Sequence, residues 1–470
     1  MGSLLATDGY KFSMAEAGYP LRRETFYYTH RRGGPQLWLL DAARIVKALL
    51  PTPTPEDYAF LERTQYEMGG GFKAAMTSSA ALEIAALPVG SWFLPGEPIF
   101  SVTGPSALVS WLEPQLLMLH YRVQVATLAL TDRAKLTSAV RTVTCQEERD
   151  LVESTLGSID EPAPAMTVDP DGYRDGVRAR AAALVAQVED AARIFEVGLR
   201  AASCFAQHRL ALEACRDAGV GRTSNVLGAK ELGLVPVGTM GHEHVQRFGS
   251  DEAAYRAMKE RRPQRSSFLL DTFDTLRSGL PTAMRIIAED PKAHDSIRYD
   301  SGDKDAQLRA ANAMAKERGL HPVHILEDGF DLAQTKHFEG VRRELGLPKE
   351  EVFYGFGGHF VAQGPLTRDR VAAVYKLCKT GARPVMKFSN DAGKKSLPGE
   401  PVVWRRVSGD GPGGVVAQRG EPVRAGYMLL TAAERAPRDR PADERVEPSD
   451  GTRALMSVCE SEAFSFLKGS

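Results

Sequence analysis

The stretch Ile297-Arg298-Tyr299-Asp300-Ser301-Gly302-Asp303 holds residue types well suited to chemistry. Ile297 and Tyr299 alternate with Arg298, a period that suits a short strand. The strand runs into a turn of carboxylates and small residues. Gly302 lets backbone come close to a ligand. Asp300 and Asp303 could hold a divalent cation or face a developing positive charge. Taken alone, the same pattern would serve as a surface turn after a buried strand. Its meaning depends on what other strand ends carry.

Short apolar segments alternate with helical ones through the middle of the chain. The pattern predicts strands over Ile194–Gly198, Leu234–Gly238, Ser267–Asp271, Ser296–Asp300, Val323–Glu327 and Val352–Gly355. Helical stretches such as Asp251–Arg261 and Asp305–Glu317 lie between them. Strand then helix, repeated, implies parallel strands with crossovers, hence an α/β sheet or barrel. The strands end in Glu196-Val197-Gly198, Gly238-Thr239, Asp271-Thr272, Asp300-Ser301-Gly302, Asp328-Gly329 and Gly357-Gly358. In barrels the carboxyl ends of the strands carry the site. One such end is weak; six in order point to a site lined by successive strands.

The flanks have a different texture. Thr7 or Asp8 can cap a helix carrying Tyr10, Met14 and Ala17. Thr25 to His30 reads as a strand before the basic turn Arg31-Arg32-Gly33-Gly34. Leu37 to Leu50 has helical spacing. Trp92–Leu94 and Ile99–Val102 flank Pro95-Gly96 like a hairpin. Ala107 to Leu130 is a buried helical region, with Glu113 read as a charge at a helix start. Thr155 to Gly176, rich in Pro, Gly and Asp, reads as a loop or insertion. After Val371 the chain is strand-rich and basic. Arg368, Lys376, Lys387, Lys394 and Lys395 could bind phosphates there. Lys387 is placed inside an apolar strand, an unusual position for a solvated lysine. Ala436–Ser449 reads as an exposed loop.

At 470 residues the chain has room for about two or three domains. The expected division is 1–150, 151–370 and 371–470, the first and last forming one domain. A net charge of −1 gives no global field for nucleic acid or an anionic membrane. An anionic ligand must be met by a local cluster of cations. The five cysteines show no CxxC spacing, which argues for free buried thiols in a reducing compartment. No apolar run reaches transmembrane length, so a cytoplasmic location is expected.

The motifs resemble the nicotinate phosphoribosyltransferase family, with a relation to nicotinamide phosphoribosyltransferase. Thr7-Asp8-Gly9-Tyr10 is similar to the family's opening Thr-Asp-x-Tyr. Gly221 to Val226, Gly238-Thr239-Met240-Gly241-His242, Leu270 to Thr275, Arg298 to Asp303, Tyr375-Lys376-Leu377 and Lys387 to Ser389 follow in family order. The resemblance implies an irregular α/β barrel with a second α/β sandwich domain built from both chain ends. It implies a head-to-tail homodimer with shared sites, in which Tyr10 and Arg31 belong to the neighbour's site.

The implied activity joins nicotinate to phosphoribosyl pyrophosphate, releasing pyrophosphate, in NAD biosynthesis. It is pentosyltransferase chemistry, ligase-like where ATP is consumed. Asp271 and Asp300 would serve the ribosyl side, Asp300 also Mg²⁺. Arg200, His242 and Arg298 would serve the phosphates. Thr223, Ser224, Ser301, Gly302, Asp328, Gly329, Gly357 and Gly358 would complete the substrate contacts. His242 matches the histidine that takes phosphate from ATP, the co-substrate. His244 has no match and is expected on a helix surface.

Three positions depart from the family pattern, the mildest being Gly241 in place of alanine. Val197 replaces a phenylalanine that stacks on the pyridine, a loss of about 1 kcal/mol. Ala201 replaces a second arginine. No aspartate stands in Thr223-Ser224-Asn225, where nicotinamide enzymes carry one, so a carboxylate is not repelled. Nicotinate is therefore favoured over nicotinamide. A non-catalytic sugar-phosphate sensor is the alternative of another class, opposed by the presence of Asp271, Asp300 and His242.

Overall fold

The computed structural model describes residues 2–19, 21–78, 82–388, 395–432 and 439–464. Its centre is a seven-stranded parallel sheet. The spatial order is Val235–Pro236, Arg222–Thr223, Ile194–Glu196, Val352–Phe356, Val323–Leu326, Ser296–Tyr299, Ser267–Leu269. The chain builds outward from Ile194–Glu196, crosses over, and returns so that its last strand pairs with its first. The two outermost strands do not pair among the described residues, so the α/β barrel is an open half-barrel.

Residue type accounts for the placement. Phe268, Leu269, Ile297, Tyr299, Leu326, Val352, Tyr354 and Phe356 are all buried. Strands covered on both faces read as continuous apolar runs. The first polar residue after each run therefore emerges at the sheet's carboxyl edge.

Beside it lies a five-stranded antiparallel sheet in the order Arg383–Pro384, Ala373–Thr380, Arg23–His30, Phe100–Pro105, Glu83–Ala86. It takes strands from both ends of the chain. Stacked rings, Phe26 on Tyr375 and Tyr28 on Phe100, hold its centre at 5.0 Å between centroids. The buried helix Ser106–Trp111 packs against this sheet, Glu113–Leu117 joins it to the Leu199–Ala201 turn of the half-barrel, and Leu119–Thr131 packs against the strand Gln36–Trp38. A four-stranded sheet, Tyr427–Leu429, Pro401–Arg406, Gly414–Gln418, Val446–Pro448, completes the strands after residue 400. No helix among the described residues is long and apolar enough to cross a membrane.

Several local expectations change. The segment expected as one loop holds the strand Thr167–Val168 and the start of the helix Pro170–Val188. Pro170 sits at a first-turn position that needs no N–H, and Asp169 caps it. Trp92 and Phe100 do not share a hairpin. Ser91–Phe93 pairs with Gln36–Trp38, whereas Phe100–Pro105 enters the five-stranded sheet. Leu37 lies in that short strand, and only Ala42–Leu49 is helical. Lys387 follows the strands rather than lying in one, its N–H donating to Ser396 Oγ at 2.8 Å. Part of the loop expected over 436–449 lies outside the described residues; its end forms the strand Val446–Pro448. Asp303 is a helix cap, accepting from Ala306 N at 3.0 Å, and holds no place in the site.

Candidate active site

The strand ends converge on a cavity of about 460 Å³ between the half-barrel and the antiparallel sheet. From the half-barrel come Arg200, His242, Arg298, Asp300, Asp328 and Gly329. From the other side come Tyr10, Arg31, Glu113, Arg368, Lys376 and Lys387. Arg200, Asp300, Asp328 and Gly329 follow the carboxyl ends of parallel strands, Arg298 is the next-to-last residue of one, and His242 opens the helix after another. A narrow annex opens beside it, lined by Asp8, Tyr10, Phe195, Val197, Arg200, Ser224, Thr239, Arg298 and Glu327 among others.

The acidic centre is compact. His242, Asp271 and Asp300 offer ligand atoms that all lie within 4.8 Å of one another. Lys387 Nζ stands among them, 2.6 Å from His242 Nε2, 3.2 Å from Asp271 Oδ2 and 3.7 Å from Asp300 Oδ2. His242 Nδ1 is 3.2 Å from Thr272 Oγ1. Nε2 cannot accept from the ammonium and donate to Asp300 at once, and the lysine contact is the shorter. The consistent tautomer carries its proton on Nδ1, toward Thr272, and keeps the Nε2 lone pair in the cavity. Burial and the Lys387 charge both push the His242 imidazolium below its usual pKa, so the ring is neutral.

Burial alone would raise both aspartates. At Asp300 the Lys387 and Arg298 charges outweigh it, and hold the carboxyl well below the usual range. At Asp271 the Lys387 charge does the same. Ser301 Oγ also donates to Asp271 Oδ2. The remaining oxygen, Asp271 Oδ1, is buried without a hydrogen-bond partner. A bare carboxylate oxygen beside Asp300 fits a hard divalent cation such as Mg²⁺, which takes oxygen ligands. Lys387 is the cation that balances this pair from within the chain.

Arg298 braces the site more than it faces a ligand. It donates to Thr239 Oγ1, Met240 O and Asp300 Oδ1, each at 2.9 Å, and its Nε is 3.1 Å from Glu327. Arg200 pairs with Asp8 at 3.1 Å and lies 5.3 Å over the Tyr10 ring. Tyr10 donates to Glu113, and Lys11 bridges Glu113 to Glu243 at 2.7 Å each. Glu113 is thus part of the cavity floor, beyond its place at a helix start. Burial lowers Lys376 to about 7, against the pull of Glu113.

The remaining expected residues fall as follows. Tyr10 and Arg31 line their own chain's cavity. The Asp8–Asn225 bridge draws the start of the chain onto the half-barrel and carries Tyr10 with it. Thr223 is fully buried and donates to Glu196 Oε2 at 2.6 Å, so it supports the sheet instead of lining the cavity. Ser224 lines the annex and donates to Asp8 Oδ1 at 2.6 Å. Gly302 lines a neighbouring cavity that shares Asp328 and Gly329 with the main one. Gly357 and Gly358 are absent from these linings, and Lys394 lies outside the described residues. His244 is fully buried, its ring against Phe248 and Nε2 3.2 Å from Ala254 O, because the next helix covers that face.

Asp8, Glu327 and Phe195 are annex residues that sequence reasoning missed. Asp8 stood inside a recognised motif but reads equally well as a helix cap. Its side chain makes no cap bond and turns to Ser224 and Arg200.

The fold and this geometry define an α/β protein with acids and cations gathered at the strand ends of a half-barrel. No protein-family model matches the chain. It is 27% identical over 344 residues to the nicotinate phosphoribosyltransferase of Bos taurus, covering 71% of this chain and 61% of that protein. It is 31% identical over 218 residues to a nicotinate phosphoribosyltransferase of Mycobacterium tuberculosis, covering 45% and 44%. The crystal structure of nicotinate phosphoribosyltransferase from Porphyromonas gingivalis shares the fold, with a TM-score of 0.60 at 18% identity over 84% of this chain and 96% of that one. The chain spans about three fifths of the length of the Bos taurus relative. In sequence and in fold the chain is similar to nicotinate phosphoribosyltransferases.

Proposed function

We propose that the protein is a nicotinate phosphoribosyltransferase acting in NAD salvage. The observation that carries this reading is the cluster of His242, Asp300 and Lys387 in one cavity ringed by Arg31, Arg368 and Lys376, with Asp271 buried directly behind them. The pyridine nitrogen attacks C1 of phosphoribosyl pyrophosphate, forming the C1–N bond. The C1–O bond breaks, and its electron pair leaves with pyrophosphate. Positive charge grows on the ribosyl carbon and negative charge on the leaving group. Catalysis is then positioning and electrostatics.

Asp271 and Asp300 face the ribosyl side, and Lys387 neutralises the departing oxygen. Asp271 Oδ1 and Asp300 would hold Mg²⁺, which screens the pyrophosphate charge when bound. Arg31, Arg368 and Lys376 receive the phosphates. Phe195 and Val197 give the annex apolar walls for the pyridine, beside the Tyr10 ring. The neutral Nε2 of His242 suits attack on the γ-phosphorus of ATP, whose P–O bond to ADP breaks as the N–P bond forms, making a phosphohistidine beside the substrates. A cytoplasmic homodimer is part of this reading, with each cavity furnished with Tyr10 and Arg31 by its own chain.

A second reading, transfer to nicotinamide, has one observation in its favour. Asp8 and Glu327 place carboxylates in the annex, and burial raises both pKa values despite Arg200 and Arg298. A carboxamide would donate to them, where a carboxylate would need the arginines. Incubation with phosphoribosyl pyrophosphate and either base, with and without ATP, decides. Mononucleotide from nicotinate supports the first reading. Mononucleotide from nicotinamide only supports the second. Product from neither base leaves a sugar-phosphate sensor.

A further inference from the structure

Two of the cysteines lie against each other away from the cavity. Cys145 is the N-cap residue of the helix Gln146–Gly157, and Cys204 that of Phe205–Asp217. Their Sγ atoms are 3.6 Å apart, across 59 residues of chain. Among the described residues no other two cysteines are in contact. The helix starts are already tied together, since Ala206 N donates to Glu147 Oε2 at 3.0 Å. An approach of about 1.5 Å would reach the S–S bonding distance of about 2 Å. That is within the reach of side-chain rotation and small backbone shifts.

We propose that Cys145 and Cys204 are a redox pair that closes to a reversible disulfide in the presence of hydrogen peroxide. Cys145 attacks. Its thiolate is favoured by the hydrogen bond from Cys204, against a smaller effect of burial, and by its place at a helix N-terminus. At 8% exposure it is also more open than Cys204 at 3%. Cys204 resolves; its thiol is held in the protonated form by its contact with Cys145 and by burial.

The steps balance. The Cys145 thiolate takes the outer peroxide oxygen, the O–O bond breaks, and the hydroxide released is protonated to water. The sulfenic acid formed is attacked by the Cys204 sulfur. The S–O bond breaks, and the hydroxyl leaves as water with the Cys204 proton. Two thiols are oxidised and one peroxide is reduced to two waters. The bond would fasten the segment after Leu199–Ala201, which carries Arg200, to the start of Gln146–Gly157.

The test is peptide mapping of the full-length protein after treatment with hydrogen peroxide, alkylation and trypsin without reductant. The expected product joins peptide 142–149 to peptide 201–209, lighter than the two thiol peptides by two hydrogens. Dithiothreitol should release both. In Cys204→Ser, dimedone should label Cys145 as the sulfenic acid; in Cys145→Ser, Cys204 should stay unlabelled. Absence of the linked pair from wild-type protein, at a peroxide dose that already oxidises methionine, would overturn the proposal. So would a link from either cysteine to one of the other three in comparable yield. The wild-type map stands whether or not the variants fold.

Discussion

Lys387 Nζ lies 2.6 Å from His242 Nε2 and 3.2 Å from Asp271 Oδ2, so one ammonium joins the histidine to the carboxylate it faces. Lys387→Met keeps the length of the side chain and removes the charge. Loss of a donor aimed at a developing anion costs roughly 100- to 1,000-fold in turnover. Lys387→Met should fall in that range in steady-state transfer assays. A drop below tenfold with an unchanged melting curve would place Lys387 outside the reaction.

His242 offers a second test at the same contact. With its proton on Nδ1 toward Thr272, His242 turns its Nε2 lone pair to Lys387, and release of that contact would let it take a phosphoryl group. His242→Ala should abolish stimulation by ATP while basal transfer stays measurable. Wild-type protein incubated with γ-labelled ATP should carry acid-labile label that the variant lacks. Equal ATP stimulation in the two proteins would remove the phosphohistidine from the mechanism.

Burial places the Lys376 ammonium at about 7. Below that pH the side chain is charged with or without a ligand. Above it the empty site holds a neutral amine, so anion binding must take up a proton. Affinity for pyrophosphate should therefore fall as pH rises above 7, by up to about tenfold per pH unit from this group. Lys376→Arg stays charged throughout. Calorimetric titrations in matched buffers cancel the ligand's own ionisation. A wild-type profile parallel to that of Lys376→Arg would mean Lys376 never loses its proton.

The half-barrel was legible in sequence because parallel strands buried on both faces leave unmixed apolar runs. Phe268 and Tyr354 lie in such runs and Asp271 follows the first, whereas Arg298 and His324 interrupt the strands before Asp300 and Asp328. Long-range choices left no local mark. Pro95-Gly96 looks like a hairpin turn, yet the strands beside it enter different sheets. His244 follows His242 by two residues, which turns it to the opposite side of the helix; only the packing of Asp251–Arg261 makes that side buried. Asp8 shows the same limit inside the site. A capping aspartate and one turned to a distant serine have the same sequence, and tertiary contact with Ser224 decides between them.

Beneath the cavity a chain of buried charges runs from Glu113 through Lys11 and Glu243 to Arg247 and Glu24. Arg247 is fully enclosed, 2.9 Å from Glu24 and 3.1 Å from Glu243, with its guanidinium 4.0 Å over the Tyr19 ring. Arg247→Met would leave Glu24 without its arginine and Glu243 with Lys11 as its remaining cation. Breaking a buried pair from one side costs about 3–5 kcal/mol. The urea midpoint should fall accordingly, with the slope unchanged. Removing the orphaned charge as well, in Arg247→Met with Glu24→Gln, should recover part of the loss, since the penalty lies in the unpaired carboxylate. Additive losses in the double variant would show that Arg247 stabilises the fold by packing on Tyr19 rather than by charge.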